Sequence, residues 1–346
     1  TTRISIIYLL INSLSSYLLL LGISIIYKYT GSIILEEISY ILYDNNINSN
    51  IGKIGIIFII ISILIKLGIV PFNFWVLRVY SSLESRILLY QIIIPKIVYI
   101  YLLYKIIDNF IPILKNSGNI SNILLYLYIL GVLSTIIASI GGLFNNYFKK
   151  ILAYSSILNM GFILLGMISN ILIENNKYSY YEYLLIYTFN TLAIFFCFLL
   201  INPNSDNKFF NPKENINDKY KNIININKKY PIFTIFLLFT IFSFIGIPPF
   251  AGFYAKLNIF LNILNSYNEI WYISLILLLI GTFISACFYI KLILYFFIKN
   301  ININENNFLI SNKPFAFSYY FSFFSLFLIS YPFISNYLYP YYILLL

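Results

Sequence analysis

The chain has 346 residues, 60% of them hydrophobic and 10% charged, against about 25% charged in a soluble domain, which excludes a water-soluble globular protein. With no histidine and two cysteines that form no CxxC pair or cluster, histidine proton shuttles, an iron–sulfur centre, a disulfide framework and a metal-binding cluster are excluded too. The net charge of +10 lies in loops between apolar runs, so it reads as membrane topology and not as a nucleic-acid surface.

Apolar runs of about 20 residues cross a hydrocarbon core of about 30 Å. They predict an all-α polytopic membrane protein with nine spans, at 4–27, 54–76, 87–107, 120–142, 151–173, 180–202, 231–262, 269–298 and 314–336. If successive loops alternate sides, Arg3, Arg78, Arg86, Lys149, Lys150, the lysines of 203–230, Lys299 and Lys313 share one side. Only Lys28, Lys53, Lys105, Lys115 and Lys177 lie on the other. The positive-inside rule then puts the N-terminus and the 203–230 loop on the cytoplasmic or matrix side and the C-terminus outside. Thr1-Thr2-Arg3 leads straight into a span with no cleavable signal pattern. Without an initiator methionine, the chain is expected to begin after processing or as a fragment. Heavy use of Ile, Asn, Tyr, Lys and Phe points to an AT-rich organelle genome.

In span one, Ser13, Ser15, Ser16 and Gly22 let a neighbouring helix approach closely. TGSIILEEISYIL follows as an expected interfacial helix, with Ser32 as N-cap and Glu36 and Glu37 favourable to its dipole. Span two holds Lys66 and Pro71. A lysine at the bilayer centre costs about 2.5–3.5 kcal/mol and marks a functional site by default; Pro71 frees the carbonyl of Leu67 and is expected to break the helix. Beyond a hinge with Arg78, Tyr80, Glu84 and Arg86, span three repeats the pairing as Pro95 and Lys96, with a further break expected at Pro95. Both lysines lie near mid-span, which argues against snorkelling.

Span four ends at Gly141-Gly142. Span five carries a polar patch of Tyr154, Ser155, Ser156 and Asn159, open to two readings: water along a proton path, or ordinary interhelical hydrogen bonding. Tyr187, Asn190 and Thr191 of span six carry the same ambiguity. The glutamates Glu36, Glu37 and Glu84 are placed in the interfacial loop and the hinge, and none is assigned to a span. Residues 203–230, rich in Asn and Lys, read as a loop that docks on another subunit or stays mobile. In span seven Pro248-Pro249 frees the carbonyls of Phe244 and Ile245, Gly246 and Gly252 permit unusual turns, and Lys256 follows. Lys291 of span eight reads as a snorkelling end lysine. Cys197 and Cys287 fall inside spans.

KLGIVPFNFWVLRVY (66–80), Pro95-Lys96, KKILAYSSILNMGF (149–162) and GIPPFAGFYAK (246–256) resemble the subunit 2 family of respiratory complex I, an antiporter-like membrane family, over nearly all of the chain. That resemblance implies a fourteen-helix fold with two inverted five-helix repeats, of which this chain would hold the last nine helices: 1–107 as the remainder of the first repeat with Lys66 and Lys96, 108–298 as the second repeat with Lys256, and 299–346 as a loop and last helix. It implies proton translocation by Lys66, Lys96 and Lys256, supported by a polar axis that includes Tyr80, Tyr154, Ser155 and Asn159. It implies a mitochondrial inner-membrane setting with the N-terminus on the matrix side and the C-terminus in the intermembrane space. Partners would be other membrane-arm subunits, lipids such as cardiolipin, and a separate chain supplying the first helices and the glutamate that pairs with Lys66. FMN, iron–sulfur clusters and quinone would sit on other subunits. Asn73, Arg78 and Asn159 depart from the family pattern, so a route through the family's histidines is closed to this chain.

The expected mechanism is a row of buried lysines whose charge states respond to a moving or neutralised carboxylate partner. Two rivals accompany it: a structural membrane-arm scaffold that no longer pumps, and a subunit of a multisubunit cation/proton antiporter.

Overall fold

The computed structural model describes residues 2–44, 49–83, 85–116, 120–145, 147–172, 179–201, 231–265, 269–297 and 322–334. The loop read at 203–230 therefore lies outside the described residues. Twelve helices make up their regular structure: α1 (Thr2–Thr30), α2 (Leu35–Asp44), α3 (Ser49–Leu67), α4 (Phe74–Ser82), α5 (Ser85–Asn116), α6 (Ile120–Phe144), α7 (Phe148–Leu172), α8 (Ser179–Ile201), α9 (Pro231–Ile245), α10 (Ala251–Leu264), α11 (Glu269–Phe297) and α12 (Ser322–Ile334). Five of them, within α1, α5, α6, α7 and α11, are long and apolar enough to cross a membrane unaided. The chain is a multi-pass membrane protein.

Lipid tails are as apolar as leucine, so helix association here depends on close packing and hydrogen bonds more than on a hydrophobic drive. Glycine supplies the closest approach. A Cβ on Gly22 of α1 would lie 2.7 Å from the carbonyl oxygen of Gly55 on α3, so these two helices cross backbone to backbone. On α6 and α7, a Cβ on Gly161 would lie 2.9 Å from the carbonyl of Gly131. α7 is the central helix, with 94% of its apolar window buried, whereas α1 is peripheral with 17%. α4, α6, α8 and α10 pack on α7, and α9 packs on α8, α10 and α11. Most serines and threonines in the helices donate back to the carbonyl three residues earlier, as Ser62 does to Ile59 and Ser134 to Gly131, which hides their hydroxyls from the apolar surroundings.

Two expectations are corrected. α5 runs unbroken through Pro95, because the carbonyl of Gln91, which Pro95 deprives of its helical donor, accepts instead from the hydroxyl of Tyr80 at 3.3 Å. Ser32 is not the N-cap of the interfacial helix. α2 begins three residues later, at Leu35, after a turn in which Gly31 takes φ +66°.

Candidate functional site

The three lysines occupy different settings. Lys66 lies in the last turn of α3. The chain then turns through Gly68 at φ +71°, a left-handed conformation that glycine adopts without strain. The amides of Gly68 and Ile69 both donate to the carbonyl of Leu64, at 3.0 and 3.3 Å. Trp75, at the start of α4, donates its indole N–H to the carbonyl of Ile65 at 2.9 Å. Pro71 lies in the stretch between the two helices, and the turn residues 68–73 put α3 and α4 in sequence but not in one hydrogen-bonded ladder. The Lys66 ammonium lies 4.8 Å above the ring of Tyr99 on α5. It faces an open pocket of about 730 Å³, lined also by Tyr8, Asn12, Ser13 and Ser16 of α1, by Trp75 and by Gln91.

Lys96 is buried on α5, with 2% of its surface exposed. Its ammonium makes no hydrogen bond among the described residues. The ring of Tyr80 lies 5.7 Å below it. Tyr80 thus acts twice on one helix: its hydroxyl caps the carbonyl freed by Pro95 and its face lies beneath the next residue's charge.

Lys256 is held by backbone. α9 stops at Ile245, Gly246 takes φ +85°, and its amide and that of Ile247 both donate to the carbonyl of Phe242, at 2.9 and 3.2 Å. Pro248 and Pro249 follow before α10 starts. Gly252 N–H donates to Ser243 Oγ at 3.2 Å, and a Cβ on Gly252 would run into the Ser243 carbonyl. This tight return brings Lys256 back over the end of α9. Its Nζ donates to the carbonyls of Phe244 at 2.8 Å and Ile245 at 2.9 Å, where unsatisfied carbonyls form the negative end of the helix dipole.

Two small cavities of about 10 Å³ each lie near these lysines, each with room for about one water. One is lined by Lys256 with Asn159, Tyr183, Tyr187, Asn190 and Ser243. The other is lined by Ser155, Ser156, Thr191 and Ile92, a turn before Lys96, and both share Tyr187 and Phe244. Tyr187 Oη and Asn190 Oδ1 are buried without a hydrogen-bond partner among the described residues. Alongside runs a hydrogen-bonded chain. Tyr183 donates to Asn159 Oδ1 at 2.7 Å, Asn159 donates to the Ser155 carbonyl at 2.8 Å, and Ser155 Oγ meets Tyr289 Oη at 2.6 Å.

Of the polar residues singled out in the sequence, Tyr80, Ser155 and Asn159 therefore stand beside the lysines or the cavities near them. Tyr154 does not: its ring packs on Gly141. Lys291 donates to the carbonyls of Leu143 and Asn145, at 3.3 and 3.4 Å, closing the end of α6. Buried Lys149 donates to the carbonyl of Leu83 and ties α7 to the end of α4.

The reading that no glutamate belongs to a span is also corrected. Glu182, in the first turn of α8, is 2% exposed. Its Oε2 accepts from Asn258 Nδ2 at 2.6 Å and its Oε1 from Tyr331 at 3.0 Å. The signal was present in the sequence as a single acid inside the run 180–202. Tyr289, Asn258 and Asn262 were missed as well; the i,i+4 spacing of Asn258 and Asn262 was the one signal available for the latter two.

The family described as NADH:quinone oxidoreductase/Mrp antiporter, TM matches residues 1–285. The chain is 31% identical over 287 residues to NADH-quinone oxidoreductase subunit N of Hydrogenovibrio crunogenus, a match covering 83% of this chain and 56% of that protein. With the corresponding subunit of Pelagibacter ubique it shares 31% over 286 residues, covering 83% and 56%. The chain thus spans about half the length of the curated relatives it matches. A chain of respiratory complex I from Thermus thermophilus superposes with a TM-score of 0.76 at 20% identity, covering 98% of this chain and 68% of that one.

Proposed function

The chain belongs to the NADH:quinone oxidoreductase/Mrp antiporter family, and from that premise we propose that it is the antiporter-like membrane subunit of a respiratory complex I that moves protons by way of Lys66, Lys96 and Lys256. The observation that carries this reading is the setting of Lys96 and Lys256. Both are buried, neither is paired with a carboxylate among the described residues, and two water-sized cavities with hydroxyl and amide groups in their walls lie nearby, one against Lys256 and one a turn from Lys96. A scaffold has no need to bury two amines beside room for water.

In this reading α3 with α4, and α9 with α10, are two interrupted spans, so that nine crossings and one interfacial helix account for the twelve helices. Lys66 receives a carboxylate in the open pocket it shares with Asn12, Ser13 and Ser16, from a helix outside these residues. Lys96 is the bridge, and Lys256 exchanges its proton with one side of the membrane. Electron transfer from NADH to quinone elsewhere in the complex supplies the energy, and the mitochondrial inner membrane is the setting that the composition favours.

The family's name also covers Mrp antiporters, so a cation/proton antiporter subunit is the second reading. Proton uptake by membrane vesicles that hold the intact complex, driven by NADH with and without sodium, separates the two. Complex I function predicts uptake that needs NADH, is indifferent to sodium and falls sharply in Lys256→Met. Uptake that needs sodium and no NADH overturns it in favour of the antiporter. Uptake unchanged in Lys256→Met favours the scaffold.

A further inference from the structure

Glu182 is the only carboxylate buried among the described residues, and the lysine mechanism does not use it. Both of its described partners are neutral: Asn258 on α10 and Tyr331 on α12. A buried carboxylate is costly unless it is paired or functional. The amide of Asn258 can only donate to Oε2, while a phenol both donates and accepts. Tyr331 therefore donates to the ionised carboxylate at Oε1 and accepts from the same oxygen when the acid is protonated. The site holds Glu182 in either protonation state with no change of packing.

Its position in the bundle gives that property a use. Asn258 lies two residues past Lys256 on α10, about 3 Å along the axis but on the opposite face of the helix. Tyr183, the residue after Glu182, lines the cavity beside Lys256. Asn262 lies four residues past Asn258, on the same face of α10, and donates to Asn170 Oδ1 at 2.8 Å and to Ser179 Oγ at 2.9 Å. Ser179 in turn donates to Asn170 Oδ1 at 2.7 Å. From Lys256 toward the end of α10, polar groups thus come in successive layers. The ammonium is followed by Glu182 with Asn258 and Tyr331, and then by Asn170 with Ser179 and Asn262. The loop after α7, which contains Lys177, marks that end as the side poor in basic residues.

We propose that Glu182 is a proton-binding residue that takes up the proton released by Lys256 and passes it toward the Asn170, Ser179 and Asn262 end of the bundle. The inference rests on the proton-translocating function proposed above. In the step, an N–H bond of the Lys256 ammonium breaks, water carries the proton from the cavity that Tyr183 lines around α10, and an O–H bond forms on Glu182, leaving a neutral amine and a carboxylic acid. Loss of that proton at the far end restores the carboxylate.

The test is the number of protons moved per electron in NADH-driven membranes holding the intact complex, with Lys256→Met measured in parallel. Glu182→Gln keeps size and both hydrogen bonds, its oxygen accepting from Asn258 and its amide donating to Tyr331. The ratio is expected to fall, and Glu182→Asp should recover much of it. A wild-type ratio in Glu182→Gln overturns the inference. If Lys256→Met lowers the ratio and Glu182→Gln does not, only this inference falls; if neither does, the proposed function falls with it. Should Glu182→Gln not assemble, Tyr331→Phe decides, since it leaves the carboxylate and its Asn258 bond in place. A lowered ratio supports the relay and an unchanged one overturns it.

Discussion

Lys256 donates to the carbonyl of Phe244 at 2.8 Å, across twelve residues of chain. That carbonyl and its neighbour at Ile245 are the ones that Pro248 and Pro249 leave without helical donors. The interruption between α9 and α10 thus makes its own binding site for a cation: two carbonyls at the negative end of a helix dipole, and a glycine-lined return that aims the lysine at them. Lys256→Met should leave both carbonyls unmet in a buried setting, at a cost of about 1–3 kcal/mol each. A lowered thermal midpoint of the membrane arm, together with the loss of proton uptake, checks this; an unchanged midpoint would mean that other donors replace the ammonium.

Tyr80 separates two contributions. Tyr80→Phe removes the hydroxyl that caps Gln91 but keeps the ring 5.7 Å from Lys96, so a loss of about 1 kcal/mol in stability is expected with proton uptake retained. Tyr80→Leu removes the ring as well and should lower uptake, because the charged form of Lys96 loses a cation–π contact worth about 0.5–2 kcal/mol. Equal uptake in the two variants would remove Tyr80 from the lysine's electrostatics.

The close return at α10 depends on Gly252. Gly252→Ala should prevent assembly of the subunit or destabilise it by several kcal/mol, since its Cβ meets backbone at Ser243 and not a flexible side chain. Gly281→Ala is the control: its Cβ would find the Thr135 carbonyl at 3.8 Å, an ordinary contact, and helical alanine is favoured over glycine by about 0.5–1 kcal/mol. Subunit yield in purified complex reads out both.

Members of the polar patch on α7 should differ in the same way. Asn159→Leu breaks the links to Tyr183 and Ser155 and is expected to cost about 1–3 kcal/mol and to reduce proton uptake. Tyr154→Phe is expected to change stability by less than about 0.5 kcal/mol, because its ring packs on Gly141 and no hydrogen bond to its hydroxyl is recorded among the described residues. Denaturation of the purified complex alongside uptake measurements distinguishes them.

What the sequence makes legible follows from how strongly lipid penalises exceptions. A lysine, a proline pair or a glycine beside one inside an apolar run stands out at once, so Lys66, Lys96 and Lys256 and the carbonyls freed at Phe244 and Ile245 are readable from the chain alone. Pairings between helices are not. Pro95 reads as a break because the hydroxyl that rescues Gln91 comes from Tyr80, on a separate helix. Tyr154 and Asn159 read alike, although one points to Gly141 and the other to Tyr183 and Ser155. Glu182 was visible within its span, yet its partners Asn258 and Tyr331 come from helices 76 and 149 residues away, and no local pattern announces them.

The central claim is that the buried lysines carry protons, and Lys96 tests it most directly because among the described residues it makes no hydrogen bond whose loss would confuse the result. The measurement is protons translocated per electron in NADH-driven membranes carrying Lys96→Met in the intact complex. The account predicts a lowered ratio together with impaired coupled turnover. A wild-type ratio with unchanged coupled turnover would contradict it and leave the subunit a scaffold.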